Sequence, residues 1–442
     1  MMRSETFILL SFFISLIIIG TVFLLLPLSW NGTEPLSVIN AFFTSTSAVC
    51  VTGLITVDTS LYSRFGQIVI LLLIQMGGLG LISFSTLYIV LPSRKISLKG
   101  STMIKEYFLD SVEFEPRKII SLIFFFTLFI EAIGTVFLYF GFSETMKEDA
   151  FYYALFHSIS AFCNAGFSLF PNNLENYKNN ELINITIMLL IILGGIGFIV
   201  LRDLIKRIKG EKKHIALHTK MVLITSIFLI IFGSIMIFFI ESNHLLKEHS
   251  LKDKILISLF QAVTPRTAGF NTVPFNEMFP IVQFLLIPFM IIGGAPGSIS
   301  GGIKVTTFFI LFLVLTKRIN PEKGISIFKR RVPPHTIYRI SIFTIKAITF
   351  LILSFSLLVL SESVFHSGTE HSFLELFFES ASAFGTVGLS LGITAGLSLF
   401  GKVIIILTML LGRIGLLILM MNIFTSNNNH EIIYPAGEVL TN

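Results

Sequence analysis

The amino-acid sequence predicts an all-α integral membrane protein in which eight membrane-spanning helices surround one pore with pseudo-fourfold symmetry. Three observations predict it: a low content of charged residues, apolar blocks long enough to span a membrane, and a motif that occurs four times. Of the 442 residues, 53% are apolar and 13% are charged. Because soluble domains carry about 25% charged residues, these charges are too few to cover a water-facing surface. We expect a multi-pass protein of the cell membrane, in contact with lipid.

Eight apolar blocks are long enough to cross a bilayer, which takes about 20 consecutive apolar residues. They are residues 7–28, 65–91, 119–140, 182–201, 221–240, 279–315, 340–360 and 403–421. The first block does not fit a signal peptide, because it is long, no small-residue cleavage site follows it, and similar blocks recur. The sixth block is longer than a span needs and contains several glycines, so we expect it to be the single broken span.

Four shorter amphipathic stretches lie between the members of successive pairs of blocks. They are residues 35–49, 150–162, 251–264 and 372–384. Each is too short to cross the bilayer and leads into a run of small residues, so each is predicted to be a re-entrant half-helix. Irregular backbone at membrane depth persists only where protein or a water-filled cavity surrounds it.

The basic residues predict the orientation. Of the 32 Lys and Arg residues, 21 lie at Arg3 or in segments 92–118, 202–220 and 317–339. The alternate segments are richer in acidic residues. By the positive-inside rule, the basic segments and both termini are cytoplasmic, and the half-helices enter from outside. The net charge of +6 is therefore a topology signal and does not predict nucleic-acid binding.

The repeated motif follows each half-helix, in segments 44–54, 157–167, 261–270 and 379–389. Each copy follows a phenylalanine and ends in Gly plus a large apolar residue. The predicted filter residues are Val51, Thr52, Gly53, Asn164, Ala165, Gly166, Thr267, Ala268, Gly269, Thr386, Val387 and Gly388. A second glycine motif recurs inside the following span, at 77–80, 194–197, 293–297 and 412–415. We expect four repeats, at 1–91, 119–201, 219–316 and 337–421, and a cytoplasmic tail at 422–442.

This arrangement predicts the passage of a monovalent cation, potassium being favoured. In potassium channels, four TVGYG loops replace the hydration shell of the ion with rings of backbone carbonyls, and residues 386–389 read TVGL. Glycine allows unusual backbone angles and close approach, and the C-terminal end of a half-helix attracts a cation. The alternative is that the glycines only let helices pack closely. For the second glycine motif, both interpretations remain open.

The sixth block contains a predicted gate, because five glycines and a proline within residues 293–302 disfavour regular helix. Gly costs about 1 kcal/mol and Pro about 3 kcal/mol in a helix, relative to Ala. A static kink is the alternative. The predicted gate residues are Gly293, Gly294, Gly297, Ser298, Ser300, Gly301, Gly302, Lys304 and Arg413.

Three basic residues lie close to these motifs. Arg413 stands where the first two repeats have Gly78 and Gly195. A charge in mid-membrane is expected to be functional, either repelling cations or donating hydrogen bonds to the carbonyls of the 293–302 loop. Lys304 either anchors this loop or flanks the membrane on the cytoplasmic side. Arg266 is expected to face outward, with Glu379 as one candidate ion-pair partner.

Other classes of function find little support in the sequence. It contains no Walker A string, no GxGxxG after a strand and no HExxH, so we expect no organic cofactor and no enzymatic activity. Cys50 and Cys163 align with each other and are too few for a metal site. The alternative function is a secondary transporter of another cation or a small solute, since repeats and broken helices also occur there. Transporters of that kind usually have paired discontinuous helices.

The chain resembles the Trk/Ktr/HKT superfamily of potassium transporters, and its length and loops are most similar to the KtrB (NtpJ-like) membrane subunit. The similarity extends from residue 7 to about residue 421. It rests on the four filter motifs, on segments 263–273 and 293–307, and on the arginine of the 412–415 motif.

The resemblance implies a homodimer with one pore in each protomer and a 293–302 gate that works with Arg413. It also implies control by a cytosolic ring of nucleotide-binding RCK/KTN subunits, and Na⁺ as a possible activator of K⁺ uptake. The basic loops and the tail would provide the docking surface. In the plant branch of the family, serine at the first filter glycine accompanies sodium transport, so Gly53 favours potassium.

Overall fold

The computed structural model describes residues 4–90, 116–317, 320, 324–365, 371–416 and 418, and helix predominates in these ranges. The predicted tail, Arg3 and most of segment 92–118 lie outside the described residues. The α-helices are α1 Ser4–Leu24, α2 Val38–Val49, α3 Arg64–Val90, α4 Pro116–Met146, α5 Ala150–Phe162, α6 Glu181–Gly195, α7 Phe198–Ile208, α8 Leu217–Glu241, α9 Leu251–Val263, α10 Pro280–Ile291, α11 Val305–Thr316, α12 Pro334–Phe365, α13 Phe373–Gly385 and α14 Leu399–Leu410. The predominantly helical prediction is confirmed.

Five helices of the described ranges, α1, α3, α4, α8 and α12, are long and apolar enough to cross a bilayer. The number is six if α6 and α7 count as one bent span. Among the described residues, predicted block 279–315 contains the shorter helices α10 and α11, and block 403–421 contains most of the shorter helix α14. A π-helical segment, Leu411–Gly415, directly follows α14.

The expectation of a single broken span was wrong, because the fourth block is broken as well. Helices α6 and α7 meet at an angle of 101°. Gly197 lies at the break with φ +86°, a backbone conformation that suits glycine. The main-chain N–H of Phe198 donates to the carbonyl of Gly297 at 3.1 Å, so the 293–302 loop satisfies a donor that the break leaves free.

The four short helices α2, α5, α9 and α13 have 12 or 13 residues each. At 1.5 Å per residue, none spans the roughly 30 Å hydrocarbon core. Side-chain caps define where three of them begin: Ser37, Ser250 and Ser372 each accept a hydrogen bond from a main-chain N–H of the first turn. Glu375 completes a capping box with Ser372.

Each short helix packs against the long helix that precedes it, namely α1, α4, α8 and α12. Two equivalent serines join such pairs: Ser45 Oγ donates to the Ile17 carbonyl at 2.8 Å, and Ser158 Oγ donates to the Glu131 carbonyl at 2.7 Å. The same local geometry therefore occurs in the first and second quarters of the chain.

Segment 317–339 contains a small antiparallel hairpin, β1 Ile325–Ile327 and β2 Arg330–Val332. Its two turn residues, Phe328 and Lys329, have φ of 48° and 63°. Positive φ at both central residues is typical of the tight hairpin turn that suits the twist of paired strands. The hairpin stands between α11 and α12 and presents basic side chains on β2.

Candidate functional site

The glycines of the four motifs predicted to be a filter, called the filter motifs below, form a closed ring. A Cβ atom on each glycine would meet the carbonyl oxygen that precedes the glycine of the next motif: Gly53 meets Ala165 at 2.5 Å, Gly166 meets Ala268 at 2.9 Å, Gly269 meets Val387 at 2.6 Å, and Gly388 meets Thr52. The fourth motif therefore contacts the first, and this contact closes the ring. Cβ atoms do not tolerate contacts below 3.0 Å with backbone, so all four positions require glycine.

The backbone of every motif has the same unusual conformation. Each glycine has positive φ, between 70° and 97°. The residue two positions earlier also has positive φ although it is not glycine: Val51, Asn164, Thr267 and Thr386, at 54°, 54°, 71° and 51°. Non-glycine residues rarely adopt these angles and persist in them only where the surroundings impose them. The four copies therefore share a strained backbone, a hallmark of binding sites.

A hydroxyl in the last turn of each short helix, or directly after it in the case of Thr264, holds the motif. The main-chain N–H groups of Gly53 and Gly388 donate to Ser47 Oγ and Ser382 Oγ at 3.0 and 3.1 Å. In the second and third motifs the hydroxyl donates to the carbonyl after the glycine: Ser160 to Phe167 at 2.8 Å and Thr264 to Phe270 at 2.5 Å. These hydroxyls are not among the predicted site residues, although they align in the sequence at 47, 160, 264 and 382.

A second polar residue, one turn earlier in each short helix, binds the chain beyond the filter. The pairs are Thr44 with Tyr62 at 3.1 Å, His157 with Ser168 at 3.0 Å, Gln261 with Thr272 at 3.0 Å, and Glu379 with Ser390 at 2.8 Å. Glu379 also accepts from Thr394 at 2.5 Å. These side chains differ in chemistry from one motif to the next. The aligned sequences therefore do not show that all four form a hydrogen bond to the chain that follows the motif.

The 293–302 loop lies against the other three quarters of the molecule. A Cβ on Gly78 would be 3.4 Å from Ile299 Cγ2, and one on Gly195 would be 3.2 Å from Ser300 Oγ. Arg413, at the matching position, donates from its Nη1 to the carbonyl oxygen of Ile299. Three equivalent positions therefore converge on two neighbouring residues of the loop.

The loop also contacts the filter directly. The amide of Asn164 and the hydroxyl of Ser300 are hydrogen-bonded at 3.0 Å. A Cβ on Gly301 would be 2.8 Å from the Gly385 carbonyl and would collide with Thr386 Oγ1. Filter motifs two and four thus rest on the loop, and Gly301 permits the close approach.

Hydrogen bonds at both ends hold the loop in place. Ala295 N–H donates to the Gly195 carbonyl at 2.9 Å, and Gly293 N–H donates to the Ile303 carbonyl at 2.9 Å. Lys304 Nζ donates to the Ser300 carbonyl at 2.6 Å. Of the two positions considered for Lys304, the structure therefore favours the anchor of the loop.

The second glycine motif has a packing role in three of its copies. Cβ atoms on Gly77, Gly194 and Gly412 would collide with the carbonyl oxygens of Val49, Phe162 and Phe384. Each of these carbonyls lies four residues before a filter glycine. The small residue therefore lets the following span touch the end of the short helix, and helix packing accounts for these positions.

Two charged side chains differ from expectation. Arg266 is buried rather than outward-facing, with 7% of its surface exposed, and its Nη2 donates to Ser226 Oγ at 2.9 Å. Its candidate partner Glu379 binds hydroxyls instead.

Glu131 is a further buried polar residue, which was not among the predicted site residues. It lies inside the third apolar block, and its carboxyl accepts from Gln75 Nε2 at 3.0 Å. A lone acid within an apolar block was the available signal.

Comparison with known proteins shows the family of the chain. The family described as "TrkH: Cation transport protein" matches residues 1–431. The Ktr system potassium uptake protein B of Bacillus subtilis is 37% identical, over 98% of this chain and 95% of that protein. The potassium/sodium uptake protein NtpJ of Enterococcus hirae is 33% identical, over 96% of this chain and 94% of that protein.

The fold is shared with a solved structure, that of the potassium transporter TrkH from Vibrio parahaemolyticus. The TM-score is 0.75 at 20% sequence identity, and the match covers 96% of this chain and 85% of that one. The family comprises membrane transporters rather than enzymes, as the sequence predicted. On the whole-chain family match and the relatives above 30% identity, this multi-pass membrane protein belongs to the TrkH family of cation transport proteins.

Proposed function

We propose that this chain is the ion-translocating subunit of a potassium-uptake system of the Ktr/Trk type, and that K⁺ passes through the ring of four filter motifs. The observation that carries the proposal is the closure of this ring, in which Gly388 meets the carbonyl of Thr52. The relatives named for potassium uptake align over almost the whole chain and support potassium as the cargo.

The chemistry of the ring suits a dehydrated cation. Four main-chain oxygens, of Thr52, Ala165, Ala268 and Val387, lie beside the four glycines. Such oxygens replace the water shell of K⁺ in a carbonyl filter. The short helices α2, α5, α9 and α13 end at the motifs, so that the negative ends of their dipoles add to the attraction. Uptake needs no further energy source, because the membrane potential supplies about 2.3 kcal/mol per charge per 100 mV.

The proposed topology has four repeats, at 1–91, 119–201, 219–316 and 337–421, with re-entrant short helices and eight spans. In this proposal α10 and α11 are the halves of the sixth span, and α6 and α7 form the fourth. Cytoplasmic termini and cytoplasmic basic segments complete it. The pairing of α1, α4, α8 and α12 with the short helix that follows each supports the repeats.

The 293–302 loop is the proposed gate. Its residues are buried except for the partly exposed Pro296, and hydrogen bonds from Arg413, Lys304 and the break after α6 hold it. Uptake would then be channel-like, with the loop controlled by a cytosolic nucleotide-binding RCK subunit that docks on the basic segments of a homodimer. Sodium as an activator is part of the same proposal; the name of the Enterococcus relative gives sodium, beside potassium, as an ion that is taken up.

The test is complementation of a potassium-uptake-deficient strain at low external potassium, with and without a candidate RCK subunit. We expect growth that requires this chain and increases with the subunit. In proteoliposomes, K⁺ flux should follow an imposed potential with no gradient of a coupling ion. Flux that requires a proton or solute gradient would favour the secondary transporter instead. One observation supports that alternative: the fourth and sixth blocks are both broken, and secondary transporters usually have paired discontinuous helices.

A further inference from the structure

Arg266 is a buried cation without a carboxylate partner in the described part of the chain. It directly precedes the third filter motif and is 7% exposed. Its Nη2 donates to Ser226 Oγ at 2.9 Å, and its Nε has no hydrogen-bond partner. A guanidinium remains charged in proteins, and a buried charge is costly unless it is paired.

A small cavity adjoins this guanidinium, between the end of α6, helix α8 and the end of α9. Besides Arg266, its lining residues are Ile191, Ile192, Gly195, Ile196, Ser226 and Val263. The volume of the cavity is about 20 Å³. About 10–15 Å³ suffices for one water molecule, so the cavity admits a single small species.

The polar side chains of the cavity, Arg266 and Ser226, offer hydrogen-bond donors to it. Ser226 Oγ accepts from Arg266, which leaves its own O–H to donate. The carbonyls of Ile192, Gly195 and Val263 accept from the N–H groups of Ile196, Ala295 and Arg266, at 2.9, 2.9 and 3.2 Å. The other lining side chains are apolar. A species with acceptor capacity and negative charge therefore matches the site better than water.

We propose that this cavity binds one monovalent anion of chloride size, held by Arg266 and Ser226. Phosphate and sulfate, with five heavy atoms each, exceed the space. The bound anion compensates a fixed positive charge that would otherwise stand beside the proposed path of the cation. It also stabilises the end of α6, where the Gly195 carbonyl accepts a hydrogen bond from the main-chain N–H of Ala295 in the 293–302 loop.

The test measures binding apart from transport. The purified full-length protein is heated at constant K⁺ and ionic strength while gluconate, which is too large for the site, is replaced by chloride. We expect the Tm to rise with chloride and to saturate, and phosphate to have no such effect. Ser226→Ala should weaken the apparent chloride affinity about tenfold, or about 1.4 kcal/mol, the size of a hydrogen bond to a charged group. Arg266→Gln should abolish the saturable rise.

Lys209→Gln is the control, since Lys209 is an exposed cation at the end of α7. It should keep the full chloride response. In crystals grown with bromide, anomalous scattering should give a peak beside Arg266. The proposal is overturned if chloride and gluconate give equal Tm in the unmodified protein. It is also overturned if Ser226→Ala and Arg266→Gln retain the response, or if bromide is absent from the cavity. Because K⁺ flux is not the readout, these outcomes leave the proposed transport function untouched.

Discussion

Gly388, in the last filter motif, lies directly against the main-chain oxygen of Thr52 in the first. This contact joins the two ends of the series of motifs and makes the ring continuous. A glycine is required there for two reasons, a φ of +91° and the absence of space for a Cβ. The two reasons can be separated, because Gly392 has φ +97° with nothing within 4 Å of its Cβ position.

We therefore predict that Gly388→Ala abolishes K⁺ flux, whereas Gly392→Ala leaves it largely intact. Both substitutions carry the backbone cost of positive φ, about 1–3 kcal/mol, and both should lower the Tm. Only Gly388→Ala forces the ring apart. Flux in proteoliposomes and thermal unfolding of the same preparations provide the measurement. Equal flux in the two variants would show that closure of the ring does not matter for conduction.

Gly53→Ser is predicted to weaken the selectivity for K⁺ over Na⁺. The added side chain would approach the Ala165 carbonyl, which a Cβ on Gly53 meets at 2.5 Å. The site must widen or lose an oxygen, and either change alters the fit to the cation. Reversal potentials in mixed K⁺ and Na⁺ solutions report the ratio. If they do not move, the assignment of Val51, Thr52 and Gly53 to the filter is wrong.

Deletion of part of the 293–302 loop is predicted to raise K⁺ flux and to reduce its dependence on the cytosolic subunit. The loop is buried and contacts filter motifs two and four through Ser300 and Gly301. Its removal opens the space beneath the filter. Uptake assays with and without the subunit test this, and an unchanged ratio would exclude the loop as the gate.

Arg413→Gln is predicted to act in the same direction with a smaller effect. The substitution removes a charged donor from the Ile299 carbonyl, a hydrogen bond worth about 1.5–3 kcal/mol. We expect the loop to open more often and basal flux to rise several-fold. Arg64→Gln is the matched control, because Arg64 is exposed and pairs with Asp149 at the surface. Lower flux in Arg413→Gln than in the control would contradict a restraining role.

Glu131→Ala is predicted to destabilise the protein by about 1 kcal/mol, the lower end of the cost of an unpaired donor, because this donor is partly buried. The donor is Gln75 Nε2, 3.0 Å from the carboxyl. Glu131→Gln, which retains an acceptor oxygen, should cost less. Thermal unfolding of both variants gives the comparison. If the two lose equal stability, the hydrogen bond between α3 and α4 contributes little.

Local patterns explain why much of the fold could be predicted. The amphipathic stretch 150–162 coincides with α5, and 251–264 ends one residue beyond α9. The cap Ser250 marks the start of α9 in the sequence itself, and the repeated small-residue motif marks the end of both helices. The π-helical segment over Arg413 had no such signal, because its apolar residues suit an ordinary helix equally well.

The errors arose where a distant contact decides the structure. The break at Gly197 depends on Gly297, which accepts from Phe198, and a glycine alone does not distinguish a break from close packing. The burial of Arg266 depends on Ser226 of another helix. Likewise, the polar residues that bind the chain beyond each filter motif share a position in the short helix but no side-chain chemistry. They are Thr44, His157, Gln261 and Glu379. Reading one chain in linear order does not reveal such partners.

The meeting of Gly388 with Thr52 has a consequence for biosynthesis. Until the last quarter of the polypeptide has entered the bilayer, the three earlier motifs lack the contact with the fourth. The surroundings that hold their strained backbone conformation are then incomplete. A ribosome-bound intermediate would consequently carry no finished conduit. If K⁺ takes the proposed path through the ring, an incomplete chain in the membrane would not dissipate the ion gradients of the cell.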